Sequence, residues 1–289
     1  MQPGQAVSVA AAPVWVDGTL VAAEDAAVSV FDHGLTVGDG VFETLRIYRG
    51  RPFALRRHLD RLERSAAGLE LPVPDREVLE RAVAEVLRGA GLGRAGLGEA
   101  RLRLTVTAGP APLGSGRGAG AATLIVAVAA LDPVPTTAEV TVVPWPRNER
   151  SAVVGLKTTS YAENVVALAY ARRAGASEAI FANTRGELCE GTGSNVVLGL
   201  AGRLVTPPLS SGCLAGVTRE LVLERCHVAE VDLAMAALSQ ADEAFLTSST
   251  REVQPISAVD GRRLPAAPGP LTTGAIDAFA DLVAGDLDP

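Results

Sequence analysis

The sequence predicts an α+β fold built in two parts. Three observations carry this. Strand-like and helix-like stretches are mixed, without the regular strand–helix–strand spacing of a doubly wound sheet. Leu131-Asp-Pro-Val-Pro-Thr-Thr137 reads as a linker, which sets a first domain at 1–130 and a second at 138–289. The chain has 289 residues, 48% hydrophobic and 20% charged. That is globular composition, with enough length for two cores.

The elements follow in order. Val14–Val16 and Thr19–Val21 flank Asp17-Gly18, a hairpin signal. Val41–Tyr48 alternates as a strand, and Gly50-Arg51-Pro52 turns the chain into Phe53–Leu55. Arg56–Leu69 is helical, with Leu55, Leu59, Leu62 and Leu69 on one stripe. Asp75–Arg88 is a second helix, with Asp75 as its cap. Arg101–Thr107 and Thr123–Ala129 read as strands, separated by the Gly/Pro/Ser-rich Gly109–Gly120. Past the linker come strand Glu139–Val143, helix Tyr161–Ala174 and strands Glu178–Ala182 and Asn195–Leu200. A helix from Thr218 to about Cys226, strand Glu243–Thr247 and a helix starting near Thr272 complete the chain.

The bulk properties exclude several classes. A net charge of −7 and the lack of any basic block leave no nucleic-acid footprint. The longest apolar run, Leu124–Leu131, is far too short to span a membrane, and the N-terminus lacks the charged start of a signal peptide. Cys189, Cys213 and Cys226 have no metal spacing and read as reduced cytoplasmic thiols. His33, His58 and His227 are scattered, so no metal site is expected. Gly91-Leu-Gly-Arg-Ala-Gly96 matches a nucleotide-loop pattern, but it follows a helix rather than a strand and reads as a loop.

Lys157 is the most informative residue. Lys and Arg total 26, and only this one is lysine. A composition that replaces lysine by arginine wherever a solvated cation will do retains it where arginine cannot serve. Lysine loses its proton, attacks carbonyl carbons and forms a Schiff base, whereas the guanidinium stays protonated. Ala152–Leu156 reads as a strand end, and Thr158–Tyr161 as a polar turn into a helix. A chance survivor on the surface is the alternative.

Other stretches carry chemistry, each beside a plainer reading. Glu187-Leu-Cys-Glu-Gly-Thr-Gly-Ser-Asn195 combines carboxylates with glycines that let the backbone approach a flat ligand, or is an ordinary Gly-rich hairpin. Leu214-Ala-Gly-Val-Thr-Arg219 opens a helix. The N–H groups of Val217 and Thr218 suit a phosphate there, or Thr218 simply caps the helix. Thr247-Ser-Ser-Thr-Arg251 is a hydroxyl cradle for phosphate or carboxylate, or a polar turn; it includes Ser249 and Thr250. Arg61 suits a phosphate, or belongs to a solvated helix face.

In this order the motifs resemble the fold-type IV family of pyridoxal-phosphate enzymes, the class IV aminotransferases. The family includes branched-chain and D-amino-acid aminotransferases, (R)-selective amine transaminases and 4-amino-4-deoxychorismate lyase. The likeness runs from Val14 to Ile276. It is carried by Asp32–Thr44, His58-Leu-Asp-Arg-Leu62, Gly155-Leu-Lys157, Glu187–Asn195, Gly216-Val-Thr-Arg219 and Ala241–Ser249. The resemblance implies a small N-terminal α/β domain, a larger C-terminal mixed-sheet domain and a homodimer. It implies pyridoxal 5'-phosphate bound covalently at Lys157, which also shuttles the proton. Glu190 would pair with the pyridine nitrogen. Arg61, Val217, Thr218 and Ser249 would hold the phosphate, and Tyr161 would help to hold the cofactor. The branched-chain enzymes carry their tyrosine one residue further from the lysine.

For the substrate pocket, Phe42, Thr44 and Arg46 alternate on one strand and should share a face. Arg46 and Arg103 are candidates for a substrate carboxylate, and Thr250 for the pocket wall. The tyrosine and the arginine trap of the D-amino-acid signature are absent at Phe42 and near Ala108. Thr44 stands where the lyase carries threonine and the branched-chain enzymes usually carry glycine. The leading expectation is an aminotransferase acting on an amino donor and a 2-oxo acid. The alternative is aminodeoxychorismate lyase, releasing pyruvate and p-aminobenzoate. A non-catalytic binding protein on this scaffold is a third reading, opposed by the joint presence of Lys157, Glu190 and Arg61.

Overall fold

The structure, a computed structural model, describes residues 12–91, 99–131 and 133–289. Most of the Gly91–Gly96 loop therefore lies outside the described residues. The chain forms two compact units, divided in sequence between residues 132 and 133.

The first unit contains strands β1 (Val14–Val16), β2 (Thr19–Val21), β3 (Gly40–Tyr48), β4 (Arg51–Pro52), β5 (Ala100–Thr107) and β6 (Thr123–Ala130). Its helices are α1 (His33–Thr36), α2 (Leu55–Gly68) and α3 (Arg76–Gly89). The sheet order is β2-β1-β6-β5-β3-β4, antiparallel throughout. Strand alternation gives the sheet two chemically different faces. Val41, Leu45 and Ile47 of β3, Leu102 and Leu104 of β5 and Val126 of β6 form a core with Leu59 and Leu62 of α2 and Leu79 and Val86 of α3. Each fully buried aliphatic side chain there contributes about 1.5–3 kcal/mol. The opposite face carries Phe42, Thr44 and Arg46. Thr44 lies directly across from Arg103, and Arg46 from Arg101.

Two local expectations are corrected here, and one element is added. The turn expected over Gly50-Arg51-Pro52 is tighter, and the helix expected from Arg56 starts earlier. Arg51–Pro52 pairs back onto Ile47–Tyr48, and Leu55 already starts α2. Asp75 occupies the N-cap position of α3, but its side chain accepts no capping bond. The single turn α1 carries no periodic signal. It forms because Asp32 Oδ1 accepts the Gly34 N–H at 2.8 Å, while the Thr107 hydroxyl fixes Asp32 Oδ2 at 2.9 Å.

The second unit contains β7 (Ala138–Val142), α4 (Ala162–Arg173), β8 (Glu178–Ala182), β9 (Leu188–Gly191), β10 (Asn195–Leu200) and β11 (Arg203–Thr206). Then follow α5 (Val217–Arg225), β12 (Val228–Glu230), α6 (Ala236–Gln240), β13 (Glu243–Ser248), β14 (Glu252–Val259), β15 (Arg262–Arg263) and α7 (Pro270–Gly285). Its nine-stranded sheet runs β12-β11-β10-β13-β14-β7-β8-β9, with β15 paired to β14. The sheet is mixed: β11/β12, β7/β14 and β7/β8 are parallel, and the other pairs antiparallel. Val140, Ile180, Leu188, Val196, Leu198, Leu246 and Ile256 fill one core. The small faces of Ala167 and Ala171 let α4 pack closely against Phe181 and Val143. Glu243, at the start of β13, accepts the Leu271 and Thr272 N–H groups at 3.1 and 2.6 Å and so caps α7.

Ala152–Leu156 is not a strand end. Ala152–Gly155 is exposed, and the Val154 and Leu156 N–H groups bond to Ser151 and Val153, so the stretch is a series of turns. Among the described residues no strand pairs with it to complete a ladder, and an apolar run alone does not make one.

Candidate active site

The second unit assembles most of the expected residues at one end of its strands. Lys157 is half-buried in the segment before α4. Its Nζ lies 6.0 Å from the centre of the Tyr161 ring, and Tyr161 is the N-cap of α4. Glu190 lies within β9, opposite Phe181, rather than in a loop. Its Oε2 accepts the Leu214 N–H at 2.9 Å, and its Oε1 is 3.2 Å from Arg147 Nε. Burial pushes the Glu190 carboxyl up, while Arg147, the Leu214 N–H and the charge of Lys157 pull it down. A partly desolvated carboxylate in the field of the sole lysine is suited to hold a proton on a basic ring nitrogen.

The α5 N-terminus is the candidate anion site. Its N-cap is Gly216, and no side chain caps it. A Cβ at Gly216 would fall 2.1 Å from Asn195 Oδ1, so the close approach of Asn195 requires glycine. Thr218 is therefore not the cap; it lies inside the first turn and is buried, as is Val217. Asn195 Nδ2 also donates to the Leu214 carbonyl at 2.8 Å. The Leu214 residue is thus held by Glu190 on one side and Asn195 on the other. Thr247 and Ser248 end β13, and Ser249 and Thr250 form the turn beyond it.

In the first unit, Phe42, Thr44, Arg46 and Arg103 share the sheet face opposite the core. The Arg103 guanidinium stacks 3.7 Å from the Phe42 ring centre. Arg46 pairs with Glu99 at 2.5 Å and lies over the Tyr48 ring at 5.0 Å. Arg61 is not on a solvated face. It is buried, and its Nε and Nη2 donate to Glu43 at 2.7 Å each. His58 donates Nδ1 to the same carboxylate at 2.6 Å.

Several side chains beside the candidate site were not singled out by the sequence. Arg147, beside Glu190, also donates to Glu163 and Asn164 at 2.6 and 2.7 Å and stacks on Phe181 at 4.1 Å. Arg251 bonds to Glu178 at 2.9 Å. These pairs join positions far apart in the chain, which no local pattern encodes. Cys189 and Cys213 are buried. Burial, followed by the Glu190 charge, pushes the Cys213 thiol up to about 11, so it is a poor nucleophile. Among the described residues no cluster of three or more His, Cys, Asp or Glu is placed to hold a metal ion, and no helix is long and apolar enough to cross a membrane.

These residues fit pyridoxal 5'-phosphate by the chemistry of the donor set. There is one lysine for covalent attachment, one partly desolvated carboxylate for a ring nitrogen, and an uncapped helix start with nearby hydroxyls for a phosphate.

Comparison with known proteins points the same way. The family model for amino-transferase class IV matches residues 40–259. D-alanine aminotransferase of Listeria monocytogenes is 32% identical over 274 residues, covering 86% of this chain and 88% of its own. Aminodeoxychorismate lyase of Bacillus subtilis is 32% identical over 257 residues, covering 86% of each chain. Among solved structures, the branched-chain aminotransferase from the thermophilic archaeon Thermoproteus uzoniensis, determined with norvaline, matches with a TM-score of 0.87. It is 32% identical and covers 95% of this chain and 95% of that one.

Proposed function

Since the chain belongs to the class IV aminotransferase family, we propose that it uses pyridoxal 5'-phosphate to move an amino group between an amino acid, or a primary amine, and a 2-oxo acid. One observation carries this reading. The unit that holds the only lysine also holds Glu190 with one carboxylate oxygen fixed by the Leu214 N–H at 2.9 Å and the other 3.2 Å from Arg147 Nε.

When bound, the cofactor supplies an electrophilic carbon and a protonated ring that draws electrons from the reacting centre. Lys157 Nζ provides the covalent attachment and then moves a proton from the substrate α-carbon. Glu190 keeps the ring nitrogen protonated, and Arg147 favours its ionised form. Tyr161 flanks Lys157 and helps to orient the ring. In the second unit the Val217 and Thr218 N–H groups and the Ser249 hydroxyl hold the phosphate; in the first, Arg61, oriented by Glu43, is assigned to phosphate by the family resemblance alone. In the first unit Arg103 and Arg46 are assigned to the substrate carboxylate and Phe42 to the pocket wall; in the second, Thr250 is assigned to the pocket wall.

Thr44 favours a second reading, aminodeoxychorismate lyase. It is half-buried on β3, directly across from Arg103. A hydroxyl beside a cation suits proton delivery to a departing carboxylate-bearing fragment.

We also infer a homodimer. Phe31, Leu35, Val37 and Leu113 are apolar yet 51%, 64%, 45% and 74% exposed, and a partner copy would cover them. The free cysteines suit a reducing cytoplasm.

The deciding experiment incubates the purified protein with D- or L-amino acids or (R)-amines plus a 2-oxo acid, and separately with aminodeoxychorismate. A new amino acid supports the aminotransferase and p-aminobenzoate the lyase. Neither product from any donor refutes both readings.

A further inference from the structure

Glu178 lies at the start of β8 and is fully buried. Its Oε1 accepts the Ala179 N–H at 3.0 Å, the Thr192 N–H at 3.1 Å and the Thr192 hydroxyl. Its Oε2 accepts Ser194 Oγ at 3.2 Å and Arg251 Nη1 at 2.9 Å. Thr192 and Ser194 form the turn just after Glu190, between β9 and β10. Arg251 belongs to the turn that carries Ser249 and Thr250, between β13 and β14. One carboxylate therefore ties together two turns that are far apart in sequence.

The tie is tight. A Cβ at Gly191 would fall 2.4 Å from Ser194 Oγ and 3.3 Å from Glu178 Cδ. The glycine following Glu190 is thus demanded by the packing of Glu178 and Ser194. The charge matters as much as the shape. Every group facing Glu178 is a donor, and a neutral amide would turn an N–H toward at least one of them.

We propose that Glu178 is a positioning residue that fixes the spacing between the β9–β10 turn that directly follows the Glu190-bearing strand and the Ser249-bearing turn. It thereby sets the affinity of this unit for a ligand with a ring nitrogen at one end and a phosphate at the other. The inference rests on the roles given above to Glu190 and Ser249. Glu178 itself touches no ligand in this scheme; it acts through Thr192, Ser194 and Arg251.

The test uses full-length apoprotein. Dissociation constants are measured for pyridoxal 5'-phosphate and for pyridoxal, which lacks the phosphate, together with the absorbance maximum of the bound form and the ligand-free thermal midpoint. Glu178→Gln should weaken binding of both ligands, by about ten- to a hundred-fold for pyridoxal 5'-phosphate, the scale of a lost charge-assisted bond, and should shift the absorbance maximum. Arg251→Gln should weaken binding of pyridoxal 5'-phosphate and leave pyridoxal unchanged. The double variant should bind no worse than Glu178→Gln, because the two residues act as one unit. Glu178→Asp should recover part of the loss. A lowered thermal midpoint with wild-type dissociation constants and spectrum would reduce Glu178 to a fold residue and overturn the inference. Should Glu178→Gln not fold, Arg251→Gln and Thr192→Val carry the same comparison, and unchanged affinities in both overturn it. Wild-type apoprotein that takes up no cofactor at Lys157 removes the reading of the site itself, and this inference with it.

Discussion

Glu43 accepts Nε and Nη2 of Arg61 at 2.7 Å each, from a strand face that is otherwise Val41, Leu45 and Ile47. His58 completes the cluster at 2.6 Å. Burial alone would raise the Glu43 carboxyl, but Arg61 and His58 outweigh it and hold the group well below the usual carboxylate range. A charge this deep is tolerable only with its partners in place.

Glu43→Gln leaves Arg61 buried without its counter-charge. Stability should fall by about 3–5 kcal/mol, read as a lower urea midpoint. The folded carboxyl titrates below the unfolded one. Its contribution is therefore complete above the ordinary glutamate value of 4.5 and drains away as pH falls below it. Glu43→Gln should show a correspondingly flatter acid-side loss. Equal midpoints in the two proteins at neutral pH would contradict this account.

Lys157→Ala should abolish turnover, since covalent attachment and proton transfer both depend on Nζ. With no second lysine in the chain, borohydride reduction of the loaded wild type should label one side chain, found by peptide mapping. A label at the N-terminal amine alone would sink the assignment.

Glu190→Gln should keep the cofactor yet lose most activity, because an amide cannot hold the ring proton. Arg147→Met should move the acid limb of the kcat–pH profile upward. Burial already raises Glu190, Arg147 is the strongest opposing influence, and its removal lets the carboxyl rise further. A profile that stays in place, or near wild-type kcat in Glu190→Gln, would mean that the ring-nitrogen partner lies elsewhere.

Thr44→Val keeps the side-chain shape and removes the hydroxyl. In a lyase, p-aminobenzoate formation should drop on the order of 100-fold, the scale of a lost acid–base group. In an aminotransferase, KM should change by a small factor and kcat should hold. Robust p-aminobenzoate formation by the wild type, lost in the variant, reverses the order of the two readings.

The local features were legible in the amino-acid order. The Asp17-Gly18 hairpin, the leucine stripe of α2, the strand carrying Phe42 and Thr44, and a helix starting near Thr218 follow from turn chemistry and from periods of 2 and 3.6 residues. So does the singling out of Lys157, because its scarcity is a property of composition. Tertiary structure decided the rest. It turned Ala152–Leu156 from an expected strand end into turns, because its Val154 and Leu156 N–H groups bond to the nearby carbonyls of Ser151 and Val153. It moved Arg61 from a solvated helix face to a buried pair with Glu43, and it brought Arg147 to Glu190 and Arg251 to Glu178. Each of those pairs joins charges from separate elements, and their worth comes from the desolvation that the assembled core imposes. No stretch of sequence contains that desolvation. It exists only once each unit has buried its aliphatic faces.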